Sequence, residues 1–371
     1  MNDSADDLSS LVRDRSIIVC CGSGGVGKTT SAAALALEAA QHGRRACVVT
    51  IDPAKRLADA LGLESLSNTP GRINGDWPGE LSALMLDTKT TFDALVTRYS
   101  ASDEQAESIL SNRLYRNMAS ALSGTQEYMA MEKLYELAAG GDYDLIVVDT
   151  PPTRNALDFL DAPRRLTRFL DNRIFKLLMM PTRAYLKAVS FATQTFLRTI
   201  SKVVGGEVVA DAVAFFQAFE GMEQGFRDRA ADVLAMLQAD TTAFVLVTSP
   251  RRDAVEEAGF FADKLAENRI TVEGLVVNRL HPPFGDDPVP EGLGDLSTNL
   301  ADFRRIAERE EFHFGALAGR ISPAPVARVP FLVEEVHDLG GLAEVAGHVF
   351  AEPVQPAAPS PTRESRARRR S

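Results

Sequence analysis

Eight consecutive residues, Gly22 to Thr29, have the composition and spacing of a loop that binds nucleotide phosphates. They read Gly-Ser-Gly-Gly-Val-Gly-Lys-Thr and lie between an apolar run and an alanine-rich segment. Glycines let backbone N–H groups curl around phosphate oxygens, and a following helix adds partial positive charge at its N-terminus. The pattern G-x-x-x-x-G-K-[ST] between a strand and a helix is specific for such a loop.

Each residue type in this loop predicts a separate contact with MgATP. Lys28 is predicted to bridge the β- and γ-phosphates and to take part in catalysis, and the Thr29 hydroxyl is predicted to ligate Mg²⁺. Thr30 is positioned to contact an α-phosphate oxygen. The predicted nucleotide-binding residues of the loop are Gly24, Gly25, Val26, Gly27, Lys28, Thr29 and Thr30.

A carboxylate at the end of another apolar run completes the predicted metal site. Asp149 directly follows Leu145-Ile146-Val147-Val148. An acid at the carboxyl end of a strand beside a phosphate loop holds magnesium through a water molecule. Alone this pattern is weak, but together with the phosphate loop it predicts Asp149 as a Mg²⁺ residue.

The segments around these residues predict an α/β fold of the P-loop NTPase type. Short Val-, Ile- and Leu-rich runs indicate buried strands, and the Ala-rich segment from Thr29 to Gln41 indicates a helix that stops at Gly43. Strands that alternate with helices form a mainly parallel sheet covered by helices on both faces. The six predicted strands are Ser16–Cys21, Ala46–Ile51, Leu81–Leu86, Leu145–Asp149, Ala243–Thr248 and Leu275–Asn278.

Two long helical stretches, at about 103–140 and 157–240, predict a helical subdomain inserted into this fold. The second stretch is rich in methionine and aromatic residues at helical spacing. Such residues form either a core or a groove for an apolar client. The predicted organisation is a disordered N-terminus at 1–15, an ATPase domain at 16–350 and a disordered tail at 351–371.

Composition excludes several classes of function. The net charge of −11 argues against a nucleic-acid partner. The three cysteines, Cys20, Cys21 and Cys47, have no Cys-x-x-Cys spacing, which argues against iron–sulfur and zinc-ribbon sites. With no signal peptide or membrane-spanning run, we expect a cytoplasmic protein, with peripheral membrane association left open. The arginine-rich tail indicates a solvated segment or a weak contact with an acidic partner or lipid surface.

Three motifs together resemble the arsenical pump-driving ATPase family. They are the Gly-Gly-Val-Gly-Lys-Thr-Thr loop, Asp52-Pro53-Ala54 after the second strand, and Asp149-Thr150-Pro151-Pro152-Thr153. That family includes the ATPases that target tail-anchored proteins and is similar to the nitrogenase iron protein and the MinD and ParA proteins. The resemblance extends to Asn278 and to Pro330-Phe331-Leu332, so it covers the chain from about residue 16 to about residue 350.

The resemblance implies roles for residues whose patterns alone say little. Asp52 matches the switch I aspartate that orients or activates the attacking water. Residues 149–153 match switch II, which senses the γ-phosphate and relays its loss to the helical subdomain. Asn278 matches the asparagine that reads adenine, and Pro330 and Phe331 are implied to flank the base. The implied substrate and cofactor are ATP and Mg²⁺.

The sequence departs from the family pattern at the loop itself. Relatives carry a signature lysine that reaches the phosphates of the partner subunit, and here that position is Ser23. Lys55 or Arg56 beside switch I is a candidate replacement, or the partner subunit supplies the cation. Asn155 replaces a switch II histidine of many relatives. The cysteines that bind zinc or arsenite in relatives are missing.

Three functions remain open on this basis. The first is a dimeric ATPase whose nucleotide cycle switches a helical subdomain that binds an apolar client or a membrane-associated partner. The second is a regulatory, weakly hydrolysing subunit of a heterodimer with a related ATPase, or a subunit that energises anion transport. The third is positioning as in MinD or ParA, disfavoured because the last helical run and the tail lack an amphipathic membrane helix.

Overall fold

The computed structural model describes most of the chain. The described residues are 8–52, 55–113, 115, 125–151, 162, 164–165, 167–168, 171, 211, 214–215, 217–218, 221–285, 287–288 and 294–351. The Pro53-Ala54 pair, residues 152–155 and the basic tail lie outside them. Most of the second helical stretch, with its methionine and aromatic residues, also lies outside the described residues.

The described residues form an eight-stranded sheet in the order β3-β4-β2-β5-β1-β6-β7-β8. All neighbouring strands are parallel except β3 and β4, which are antiparallel. The chain passes from β1 to β2 across the place that β5 later fills, so β5 lies between β1 and β2 in the finished sheet. The strands are β1 Ile17–Cys21, β2 Arg45–Thr50, β3 Gly71–Ile73, β4 Glu80–Met85, β5 Leu145–Asp149, β6 Thr242–Thr248, β7 Val272–Leu280 and β8 Val326–Pro330.

Ten helices are complete enough to be bounded among the described residues. They are α1 Leu8–Asp14, α2 Lys28–Gln41, α3 Arg56–Ala60, α4 Thr88–Tyr99, α5 Asp103–Ser111, α6 Thr125–Gly140, α7 Glu223–Leu237, α8 Arg252–Glu267, α9 Asp295–Ile321 and α10 Leu339–Val349. Helix α2 ends as predicted, because Gly43 follows it with a left-handed φ of 83°.

Helices cover both faces of the sheet, and successive strand residues point to opposite faces. One layer, called the α2 face here, contains α1, α2, α3 and α10 packed on residues such as Ile18 and Val48. The other layer, called the α6 face, contains α4 to α9 packed on residues such as Val19 and Val49. Both cores are continuous, and strands buried on both faces explain the uninterrupted apolar runs of the sequence.

The predicted fold class is confirmed, and all six predicted strands are present. Two further strands, β3 and β8, extend the sheet at its edges. The prediction of a disordered N-terminus is wrong for residues 8–14, which form α1 with Leu8, Leu11 and Val12 buried. These apolar side chains are spaced to dock one helical face on the α2 face, a signal that the surrounding polar residues obscured.

Part of the predicted helical subdomain can be compared with the structure. Within the stretch 103–140, the described residues form α5 and α6. From the stretch 157–240, α7 is bounded, and it packs against α6 in the core of the α6 face. No helix among the described residues is long and apolar enough to cross a membrane.

Candidate nucleotide-binding site

The phosphate loop joins the carboxyl end of β1 to the start of α2, in the centre of the sheet. Two of its glycines are required because other groups approach them closely. A Cβ atom at Gly22 would lie 2.0 Å from the Val247 carbonyl oxygen, and one at Gly27 would lie 2.1 Å from Asn278 Nδ2. Gly27 caps α2 with a φ of 96° and no side-chain hydrogen bond, so the first N–H groups of α2 are not capped by a side chain.

Lys28 extends back along the loop that precedes it. Its Nζ donates a 2.8 Å hydrogen bond to the Ser23 carbonyl oxygen, and only 5% of the residue is exposed. Burial lowers the pKa of Lys28, while the nearby carboxyl of Asp149 opposes that shift. The ammonium group is therefore desolvated beside the loop, where an incoming phosphate is a better partner than a carbonyl.

Asp149 lies at the carboxyl end of β5 and is almost fully buried. Its Oδ2 accepts hydrogen bonds from the Thr29 hydroxyl at 2.7 Å and from the Thr50 hydroxyl at 2.9 Å. Its Oδ1 is buried and has no hydrogen-bond partner among the described residues. Burial raises the pKa of Asp149, and the two hydroxyls and Lys28 partly offset that rise. A buried carboxylate oxygen beside a threonine hydroxyl fits a Mg²⁺ site, because hard cations prefer oxygen ligands.

Asp52 lies just after β2, beside this carboxylate. Its backbone N–H donates to the Thr50 hydroxyl at 3.3 Å, and that hydroxyl in turn bonds Asp149. The Asp52 carboxylate lies 3.8 Å from the Arg56 guanidinium. Thr50 thus connects the start of the predicted switch I to the predicted metal site.

The start of the predicted switch II is anchored to β1. The Thr150 hydroxyl donates a 2.7 Å hydrogen bond to the Cys20 carbonyl oxygen, and Thr150 is buried. Cys20 and Cys21 point into opposite cores of the sheet, because they are neighbours in one strand.

The residues predicted to surround the adenine lie at the ends of β7 and β8. Asn278 pairs with Val329 in the register of these strands, and Leu280 pairs with Pro330. The Phe331 N–H donates to the Leu280 carbonyl oxygen at 2.8 Å, and its side chain is 63% exposed. Asn278 Nδ2 donates to the Val26 carbonyl oxygen at 3.0 Å. The structure therefore brings Asn278, Pro330 and Phe331 together at one side of the phosphate loop.

Comparison with known proteins decides the family. A sequence profile of the anion-transporting ATPases matches residues 15–350. The chain belongs to this family. The ATPase GET3 of Phaeosphaeria nodorum is 26% identical over 318 residues, which are 85% of this chain and 88% of that protein. The ATPase get3 of Pyrenophora tritici-repentis is 25% identical over 340 residues, which are 90% of this chain and 91% of that protein. The ATPase GET3 of Malassezia globosa is 25% identical over 358 residues, covering 93% and 96%.

As a member of the anion-transporting ATPase family, the chain is an ATPase. The loop is complete except at Ser23, which is largely buried and whose side chain carries no charge. The two candidate replacements for the signature lysine differ. Arg56 pairs loosely with Asp52, and its side chain is 59% exposed. Lys55 is exposed one residue before α3.

A third cation contacts the loop directly and was missed by reasoning from sequence. Arg279, directly after Asn278, donates a 3.1 Å hydrogen bond from Nη1 to the Gly25 carbonyl oxygen. In the sequence, Arg279 is distinguished only as a basic residue near the carboxyl end of a strand. Many basic residues in such positions are exposed to solvent and have no role in a site.

Proposed function

We propose that this chain is one subunit of a dimeric MgATP-driven switch. The arrangement around Asp149 carries the proposal. The buried carboxylate of Asp149 accepts hydrogen bonds from two hydroxyls. One belongs to Thr29 of the phosphate loop, and the other belongs to Thr50, which precedes the predicted switch I. A change at the γ-phosphate is therefore transmitted to two strand ends through a single side chain.

The residues of the chain divide the chemistry of hydrolysis to ADP and phosphate. The N–H groups of the loop and of α2 hold the phosphates, and Lys28 exchanges the Ser23 carbonyl for phosphate oxygens. Thr29 and Asp149 would hold Mg²⁺, and a bound Mg²⁺ would supply positive charge against the phosphates. Asp52 orients the attacking water, and Asn278, Pro330 and Phe331 bind the adenine.

Two variants test this site. Lys28→Ala is expected to reduce kcat/KM for ATP by about two to three orders of magnitude, because it removes a charge aimed at the transferred phosphoryl group. Asp149→Asn is expected to raise the Mg²⁺ concentration needed for half-maximal activity by about tenfold or more. Asp144→Asn is the control, since Asp144 directly precedes β5 at its other end and pairs with Arg45. Equal loss in Asp149→Asn and Asp144→Asn would contradict the assignment.

The second part of the proposal concerns partners. We propose that two ATPase subunits, identical or related, close over the nucleotide, and that the helical part at about 103–140 and 157–240 binds an apolar client or a membrane-associated partner. Photocrosslinking of apolar segments to residues 157–240, with and without ATP, tests the client. Capture that does not depend on nucleotide would count against it while leaving the ATPase unaffected. We also propose a cytoplasmic location.

Ser23 favours one alternative, a regulatory subunit that hydrolyses slowly by itself. A serine cannot supply a cation to a partner's phosphates, and such a cation is worth about three to five orders of magnitude in related phosphoryl transfer. Phosphate release by the purified chain, measured alone and then with a lysine-bearing paralogue, separates the two. Fast turnover alone excludes the regulatory subunit, and turnover that requires the paralogue supports it.

A further inference from the structure

Two consecutive residues at the end of β7 hold two consecutive carbonyl groups of the phosphate loop. Asn278 Nδ2 donates to the Val26 carbonyl oxygen at 3.0 Å, and Arg279 Nη1 donates to the Gly25 carbonyl oxygen at 3.1 Å. A loop that turns its N–H groups towards phosphate turns carbonyl groups away from it. Donors that fix the outward carbonyls therefore also fix the direction of the N–H groups.

The backbone of Arg279 is bent to make this contact. Its φ is 64°, in the left-handed region that side chains other than glycine rarely adopt. The register between β7 and β8 shifts between Asn278 and Leu280, so Arg279 is the extra residue of a bulge. The Arg279 N–H donates to Asn278 Oδ1 at 2.9 Å. Bulges re-aim side chains beside functional sites, and a strained residue persists only where its surroundings hold it.

The same contact places a permanent positive charge at the rim of the loop. Arg279 and Gly25 are both exposed, so the guanidinium lies at the solvent side of the loop, while Ser23 is largely buried. A guanidinium stays charged at all ordinary pH values and offers several donors in one plane. One N–H can bind the carbonyl of Gly25 while the others remain oriented from the same rigid group.

We propose that Arg279 is a positioning residue for nucleotide binding, which holds the phosphate loop in its binding shape through Gly25 while Asn278 holds Val26. The proposal rests on the nucleotide site proposed above. Asn278 and Arg279 at the end of β7, called the β7 clamp here, thus join the adenine side of the site to the phosphate side. The two hydrogen bonds of the β7 clamp lower the free-energy cost of ordering the loop when ATP binds.

The test compares nucleotide affinity in the full chain for Arg279→Ala, Arg279→Lys and the control Arg269→Ala. Arg269 is also an arginine with a left-handed φ, 60°, but it precedes β7 at the end opposite the phosphate loop. Affinity is measured with a fluorescent ATP analogue and Mg²⁺, so that slow turnover does not hide the effect. Arg279→Ala is expected to weaken binding about tenfold, as for loss of a hydrogen bond from a charged donor. Arg279→Lys is expected to recover part of that loss, and Arg269→Ala to change affinity less than twofold.

A glycine variant separates the guanidinium from the backbone. Arg279→Gly removes the strain of the left-handed φ, so the fold is preserved while the side chain is lost. We expect weakened binding in this variant together with an unchanged or higher Tm. Wild-type affinity in Arg279→Gly or Arg279→Ala, or an equal loss in Arg269→Ala, would overturn the proposal. Undiminished ATP binding in Lys28→Ala would instead contradict the proposed nucleotide site itself. Failure of the proposal for Arg279 is therefore distinguishable from failure of the proposed function.

Discussion

The two faces of the sheet bury different kinds of side chain. Helix α2, at the centre of the α2 face, buries a row of alanines with Leu35 and Leu37 and carries the phosphate loop at its start. The α6 face buries aromatic residues and a charged group. Glu132 on α6 is 1% exposed, and its Oε1 lies 3.1 Å from Arg229 Nε and 3.3 Å from Arg98 Nη1.

This difference assigns different mechanical properties to the two layers. Small side chains bring α2 close to the sheet and leave no room for alternative rotamers, so the phosphate loop has a fixed support. On the α6 face, Glu132 Oε2 and the Tyr128 hydroxyl are buried without a hydrogen-bond partner among the described residues. Long side chains and incompletely satisfied polar groups can rearrange at a lower cost. We therefore expect the layer that contains α2 to tolerate added side-chain volume less well than the layer that contains α6.

The largest expected effect comes from adding volume to the rigid face. Ala36→Leu in α2, where the side chain is fully buried, is expected to lower the free energy of unfolding by about 3 kcal/mol, because the close helix–sheet contact cannot expand. Ala230→Leu in α7 on the other face is the matched control and is expected to cost about 1 kcal/mol. Urea unfolding monitored by circular dichroism measures both. Equal costs would show that the two layers do not differ in plasticity.

The next effect comes from the buried charge of the α6 face. Glu132→Ala is expected to lower the free energy of unfolding by about 2 kcal/mol, below the usual cost of breaking a buried ion pair because Arg98 is 43% exposed and water screens it. Glu132→Gln keeps an acceptor for both arginines and is expected to cost less than about 1 kcal/mol. The difference in the free energy of unfolding between the two variants measures the combined cost of the cavity and of leaving the two arginines without an acceptor.

Comparison of the wild type with Glu132→Gln also tests the titration of Glu132. Burial raises the pKa of Glu132 above 4.5, and the two arginines only partly offset this rise. The folded state therefore binds the proton more tightly than the unfolded chain. The stability of wild type relative to Glu132→Gln is expected to fall as pH rises through 4.5 towards the raised pKa. A stability difference that grows with pH in favour of wild type would mean that the arginines outweigh burial.

The smallest effect concerns a thiol in the core of the α6 face. Burial raises the pKa of Cys47 from 9.0 to about 12, so only the unfolded chain ionises this thiol between those pH values. The free energy of unfolding is expected to fall as pH rises above 9.0, by about 1 kcal/mol at pH 10 for this thiol. Cys47→Ala removes this dependence while its cavity cost stays constant with pH. An identical pH profile for wild type and Cys47→Ala would show that the thiol ionises in the folded state.

Most of the central sheet could be predicted from sequence because its strands are buried on both faces. The edge strands gave no such signal. β3 has three residues of which only Ile73 is buried, and β8 is interrupted by Arg328 and ends at Pro330. Their existence depends on pairing with β4 and β7, which local sequence does not encode. α1 was missed for the same reason, since its burial depends on the sheet beneath it.

The site divides in a similar way between local and non-local information. Lys28, Thr29 and Asp149 could be assigned because each residue type and its neighbours carry the chemistry. The link through Thr50 could not, since it depends on β2 and β5 lying side by side. Arg279 could not be distinguished from a solvated arginine, because its role arises from a bulge and a left-handed backbone. The roles of all these residues, with those implied for Asp52 and Asn278, remain predictions.

The edges of the sheet are poor templates for pairing with a strand of another chain. A sheet with long, uncharged edges invites strand-by-strand extension into polymers. Here the antiparallel β3 is only three residues long, and β8 carries a charged Arg328 paired with Glu311 and a proline without an N–H group. Both features discourage growth of the sheet from chain to chain.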